Sequence, residues 1–152
     1  MAASYFSPGT APKTQILTRI GASSSYVAGL LYSYEDGDIH DALVAAQVRT
    51  GLVYLIFDHR IPFLEKTRLN ELQDAGAVIL IDRFERSIRS QYLLIDDIYA
   101  VSGSFLYSIP FPTKYASALD VITDSGQFSD YYNDWQIHYD HADLYVDPWP
   151  PD

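Results

Sequence analysis

The chain has 152 residues and no cysteine, so disulfides and thiolate metal sites are excluded. Hydrophobic residues make up 48% and charged residues 20%, the balance of a folded protein and not of a disordered one. Net charge is −10, and residues 115–152 carry eight Asp with no Lys or Arg. Such a surface opposes nucleic acid and anionic membranes, so neither is an expected partner. It reads as a solvated acidic face, or as a docking face for a protein partner with a basic surface.

No apolar run approaches the ~20 residues that cross a bilayer, and MAASYFSPGT has neither the basic start nor the apolar stretch of a signal peptide. The expected location is cytoplasmic, or inside a virion assembled there. Ser7-Pro8-Gly9 punctuates the start. Residues 11–22 predict a helix, with Ile16, Leu17 and Ile20 at helical spacing. Residues 26–34 are short, apolar and aromatic, as in a buried strand. A turn at 35–38 leads to a helix over 39–49 with Asp38 as N-cap and Gly51 as its stop. Residues 52–57 predict a second buried strand ending at Asp58, and 59–63, with Pro62, a loop.

A helix follows over 64–75, with Leu64, Leu69 and Leu72 inward and Gly76 at its end. Residues 77–81 predict a third strand, and 91–95 with 99–101 a hairpin turning at Asp96-Asp97. Residues 109–113, with Pro110 and Pro112, are a loop, and 119–123 a further strand. Helix 127–143 places Phe128, Tyr131, Tyr132, Trp135 and Tyr139 at three- and four-residue steps. Prolines bar a helix from 146–152, a tail expected to fray or to lie extended with Trp149 as anchor. Alternation of strands and helices points to an α/β layered domain over 1–145, with a mixed central sheet flanked by helices and 146–152 as an acidic tail.

Residues 89–108 read RSQYLLIDDIYAVSGSFLYS. Their spacing resembles the phospholipase D superfamily signature: His-x-Lys, four residues, Asp, six residues, Gly-Ser-x-Asn. Arg89 stands in the His slot, Gln91 in the Lys slot and Leu106 in the Asn slot, while Asp96, Gly103 and Ser104 stay in register. The stretches GLLYSYEDGDIHDALVAAQVRTGLVYLIFD and LNELQDAGAVILIDRFERSIRSQYLLIDD resemble the family's helices and strands before the signature, and the aromatic helix with Trp135 resembles its closing helix. The likeness spans about residues 5–145 and is nearest the small bacterial endonucleases with one signature per chain.

The resemblance implies the superfamily fold, a homodimer about a two-fold axis, and no metal or other cofactor. It also implies a mechanism in which one histidine attacks phosphorus, another protonates the leaving oxygen, and Lys and Asn hold the phosphate. Arg89 cannot deprotonate to attack, Gln91 is uncharged and Leu106 is apolar. The expectation is therefore a pseudoenzyme retained for contact: a protein-interaction or assembly component, virion- or phage-associated. The alternatives are phosphate or nucleic-acid binding through an arginine cluster, or a phosphodiesterase with altered residues.

Arg60, Arg83, Arg86 and Arg89 are candidates for an anion site, or for internal pairs with Asp58, Asp82, Glu85, Asp96 and Asp97. Tyr131, Trp135, Tyr139 and Trp149 are candidate partner contacts, since aromatics supply much interface energy. His40, beside Asp38 and Asp41, reads as exposed, and His59 follows a strand end near the family's active-site rim. His138 and His141 lie among Asp134, Asp140 and Asp143, which read as an acidic surface and not as a metal cluster.

Overall fold

The structure, a computed structural model, describes residues 2–7, 9–84, 90–103 and 117–151. Three parallel strands form its centre: β2 (Val27–Leu31), β3 (Val53–Asp58) and β4 (Val78–Asp82). The hairpin β5 (Tyr92–Ile95) and β6 (Tyr99–Gly103) joins antiparallel beside β2. It is followed by β7 (Ser117–Ile122) and, at the edge, β1 (Ala2–Ser7). At the other edge β8 (Asp143–Leu144) pairs with β4, giving an eight-stranded sheet in the order β1-β7-β6-β5-β2-β3-β4-β8.

The central strands are apolar almost without alternation because both faces are covered. Helices α1 (Ala11–Gly21), α2 (Gly37–Thr50) and α4 (Lys66–Asp74) bury Ile16, Ile20, Leu43, Leu69 and Leu72 against one face. The long helix α5 (Ser125–His141) covers the opposite face, where Phe128 and Trp135 meet Ala28, Leu30, Ile56 and Tyr92. The expected mixed sheet flanked by helices is the observed architecture. Among the described residues, no helix is long and apolar enough to cross a membrane.

Several local expectations change. The N-cap of α2 is Asp36, whose Oδ1 accepts the N–H groups of Asp38 (2.9 Å) and Ile39 (3.0 Å). Asp38 instead lies in the first turn, where it shares Lys13 with Asp36. A one-turn helix, α3 (Ile61–Leu64), replaces the loop around Pro62, which suits the first helical turn. That turn leaves Leu64 outside, 64% exposed, and not in the core.

His40 is buried, not exposed, since the Tyr34 hydroxyl (2.9 Å) and Glu71 (3.2 Å) take its two ring nitrogens. β1 and β8 carry no apolar signal because edge strands draw their hydrogen bonds from a neighbour and not from burial. After β8 the chain bends over 147–150, with Tyr145 buried and Trp149 packed beside it, ring centroids 5.9 Å apart.

The β5–β6 turn puts Asp96 and Asp97 in the left-handed region, at φ 57° and 58°. Asp96 does more than cap this turn. Its carboxylate accepts the N–H groups of Ser24 (2.8 Å), Ser25 (2.7 Å) and Tyr26 (3.0 Å), fixing the chain where it enters β2. Burial pushes this carboxyl up, but the backbone donors of Tyr26, Ser24 and Ser25 outweigh it, and the group sits below the usual Asp range. Asp96→Ala is expected to destabilise the fold by roughly 1.5–3 kcal/mol, with Asp96→Asn milder, read from urea midpoints at neutral pH. Because the folded value is lowered, this contribution is fully present above the unfolded value near 3.9 and is lost as pH falls through the folded one. The two proteins' midpoints should converge in acid.

Candidate functional site

The parallel strands β2, β3 and β4 end on the same side of the sheet where β5 begins and β6 ends, because β5 runs antiparallel to β2. Two buried carboxylates mark that end. Asp58 and Asp82 are the last residues of β3 and β4 and are register partners, so both side chains point toward the α5 face. Asp58 Oδ1 accepts the backbone N–H (3.0 Å) and Nε–H (2.7 Å) of Arg60.

Asp82 is held from two directions. Its Oδ1 accepts the N–H of Phe84 at 2.9 Å. Its Oδ2 is 2.7 Å from His138 Nδ1 and 3.0 Å from His141 Nε2. The histidines lie one turn apart on α5, so both reach the same strand end. His138 Nε2 in turn lies 3.7 Å from Asp134, one turn earlier, whose Oδ2 accepts the Tyr92 hydroxyl at 2.6 Å. Burial and then this bond to Asp134 push the Tyr92 phenol far above its ordinary value, so it stays a donor. The result is one polar line, Tyr92–Asp134–His138–Asp82–His141. Its Tyr92–Asp134 end lines a pocket of about 550 Å³, walled also by Ser90, Gln91, Ser102, Gly103, Asp130 and Tyr131.

Signature residues within the described segments take structural places. Gln91 is buried, with its Oε1 accepting the Ser33 hydroxyl at 3.1 Å. Gly103 has φ 143°, and a Cβ there would collide with the Ala118 carbonyl across β7. Arg89, Ser104 and Leu106 lie outside the described residues, as do Glu85, Arg86 and the 109–113 loop. Arg60 pairs with Asp58 as anticipated, whereas Arg83 pairs with Asp143 (2.9 Å) and covers the Trp149 ring.

Of the candidate contact residues, Trp135 is a core residue: it is 5% exposed and its indole N–H donates to the Gly29 carbonyl at 2.9 Å. Tyr131 packs edge-on to Tyr92, and Tyr139 stacks on Trp135 with its outer side exposed. Trp149 anchors the tail onto Tyr145.

Sequence reading set His138 and His141 among the acidic residues of their own helix. Their actual partner, Asp82, lies more than fifty positions away and ends a strand. A strand closing on a charged residue where both faces are covered is the signal that marks it, since a buried carboxylate requires partners.

No family model and no curated protein matches the chain. Solved structures do match. Nuc from Salmonella typhimurium, a phospholipase D family member, aligns with TM-score 0.86 at 21% identity, over 95% of this chain and 97% of that one. NucT from Helicobacter pylori aligns with TM-score 0.77 at 15% identity, over 95% and 99%. Phosphatidylserine synthase from Haemophilus influenzae Rd KW20 aligns with TM-score 0.73 at 12% identity, over 95% of this chain and 40% of that one.

The expectation of a pseudoenzyme is corrected by these findings together. It rested on the signature positions and read His138 and His141 as part of an acidic surface. The tertiary structure brings two histidines to a buried carboxylate, on a scaffold shared almost end to end with Nuc and NucT. The chain has the fold of these phospholipase D-type structures, over nearly the whole length of Nuc and NucT.

Proposed function

We propose that the chain hydrolyses phosphodiester bonds at this end of the sheet, with imidazoles supplied by α5 and not by the signature slots. The observation that carries the reading is the convergence of His138 and His141 on Asp82 Oδ2, one helical turn from Asp134, which lines the pocket. A carboxylate that orients an imidazole, within reach of a cleft, is the arrangement general acid–base and nucleophilic chemistry requires. The phospholipase D fold supplies the substrate class by analogy. Water adds to phosphorus, the ester oxygen leaves with a proton, and a monoester and an alcohol result.

Charge narrows the substrate. Asp130 and Asp134 line the pocket, and the chain carries −10 overall. A small diester with a single negative charge meets less repulsion there than duplex DNA does. Bis(p-nitrophenyl) phosphate, assayed with added Zn²⁺ and with chelator, is expected to turn over in at least one of the two conditions. Absence of turnover in both would refute the reading.

A second reading, docking of a protein partner, is supported by a groove of about 430 Å³ on the α5 side. Its walls include Tyr26, Leu52, Tyr54, Asp97, Tyr132 and Tyr139. Aromatic walls with an acidic rim suit a basic, apolar segment. Co-purification of the wild type, set against a Tyr139→Ala variant, tests whether a partner or particle component is retained through this groove.

A further inference from the structure

We infer that Asp82, His138 and His141 form a binding site for a divalent cation of the Zn²⁺ type. The inference goes beyond the proposed hydrolysis and does not depend on it. The three side chains each offer one ligand atom, and these atoms all lie within 4.8 Å of one another. Two imidazoles and one carboxylate suit zinc and its borderline neighbours, whereas magnesium and calcium favour all-oxygen sites. Three protein ligands are also the number found in catalytic zinc centres, where a further position stays open.

The distances fit. Zinc ligands at about 2.0–2.1 Å in a tetrahedron lie roughly 3.3 Å apart. The present separations from Asp82 Oδ2 are 2.7 Å to His138 Nδ1 and 3.0 Å to His141 Nε2. Opening these by about 0.6 and about 0.3 Å, with the two histidine nitrogens already within 4.8 Å of each other, asks only for small side-chain rotations. Both histidines are partly exposed, so a cation reaches them from solvent, while the Asp82 side chain is fully buried and fixed by the Phe84 N–H.

The surroundings carry the argument further. A metal ligand histidine donates its other ring N–H to an acceptor, which sets tautomer and ring orientation. His138 Nε2 faces Asp134, and Asp134 is itself fixed by the Tyr92 hydroxyl. A cation on Nδ1 would put the ring proton on Nε2, the nitrogen that faces Asp134. The His141 ring is steadied by stacking on Phe84, with centroids 4.7 Å apart and planes 25° apart.

Untagged full-length protein, stripped with chelator and dialysed, tests the site with ZnCl₂ and CoCl₂ alone. Calorimetry is expected to give one saturable zinc site, and cobalt an intense visible band. Imidazole NMR signals of two of the four histidines should move on zinc addition, an observation on the wild type that needs no variant to fold. His138→Ala and His141→Ala should each weaken zinc at least about tenfold, and Asp134→Asn by roughly tenfold to a hundredfold. His59→Ala should leave binding unchanged.

No saturable zinc binding, or binding indifferent to both His138→Ala and His141→Ala, would overturn the site. Zinc bound there without phosphodiester turnover would support the site and sink the proposed reaction. Turnover in chelator by protein that binds no zinc would do the reverse.

Discussion

His138→Ala is expected to lower phosphodiester turnover by roughly a hundredfold or more, the usual scale for losing a positioned acid–base group. His138 is the one side chain that joins both halves of the polar line. Nδ1 meets Asp82 at 2.7 Å and Nε2 faces Asp134 at 3.7 Å. Alanine leaves the buried Asp82 carboxylate with His141 and the Phe84 N–H among the partners described above, and it cuts Asp134 off from the cluster. The direction of the effect is the same whether the imidazole moves a proton or holds a cation, because both uses need the same ring. His138 is only 15% exposed but belongs to neither apolar cluster, so the fold should survive. Parallel kcat/KM and thermal unfolding measurements decide it. Full activity in a folded His138→Ala protein would end the proposed reaction.

The largest effect on stability is expected at Trp135. It is 5% exposed, stands edge-on to Tyr54, stacks on Tyr139 at 5.1 Å and donates to the Gly29 carbonyl. Trp135→Ala opens a cavity under α5 and is expected to destabilise by about 3–5 kcal/mol. In a chain of this size that lowers Tm by roughly 10 °C. Trp135→Phe keeps most of the packing and forfeits the N–H, so its effect should be closer to about 1–2 kcal/mol. The same helix carries Asp134, His138 and His141 on flanking turns, so the alanine variant should also lose activity through α5 and not through chemistry. Calorimetry together with denaturant midpoints checks both numbers.

Trp135 also shows how far periodicity reaches. Its three- and four-residue spacing with Phe128, Tyr131 and Tyr139 marks a helix face, and that helix exists. Spacing cannot tell whether the face meets a sheet or a partner. The indole bond to Gly29, more than a hundred residues away in the chain, settles that it meets the sheet. The edge strands β1 and β8 were illegible for a related reason. Their pairing with β7 and β4 depends on which backbone comes alongside, and no local pattern records it.

The sequence by itself determined the α/β architecture, the central strands, the closing aromatic helix and the spaced signature that resembles phospholipase D. Those features rest on burial and backbone conformation, which short stretches encode through apolar runs, turn residues and glycine. The burial of His40, the core position of Trp135 and the sharing of Asp82 by His138 and His141 emerge from the folded chain alone. Each of these is a meeting of side chains from distant segments. A carboxylate at the end of β4 has no chemical character until the fold fixes which donors surround it, and here they come from a helix almost sixty residues further on.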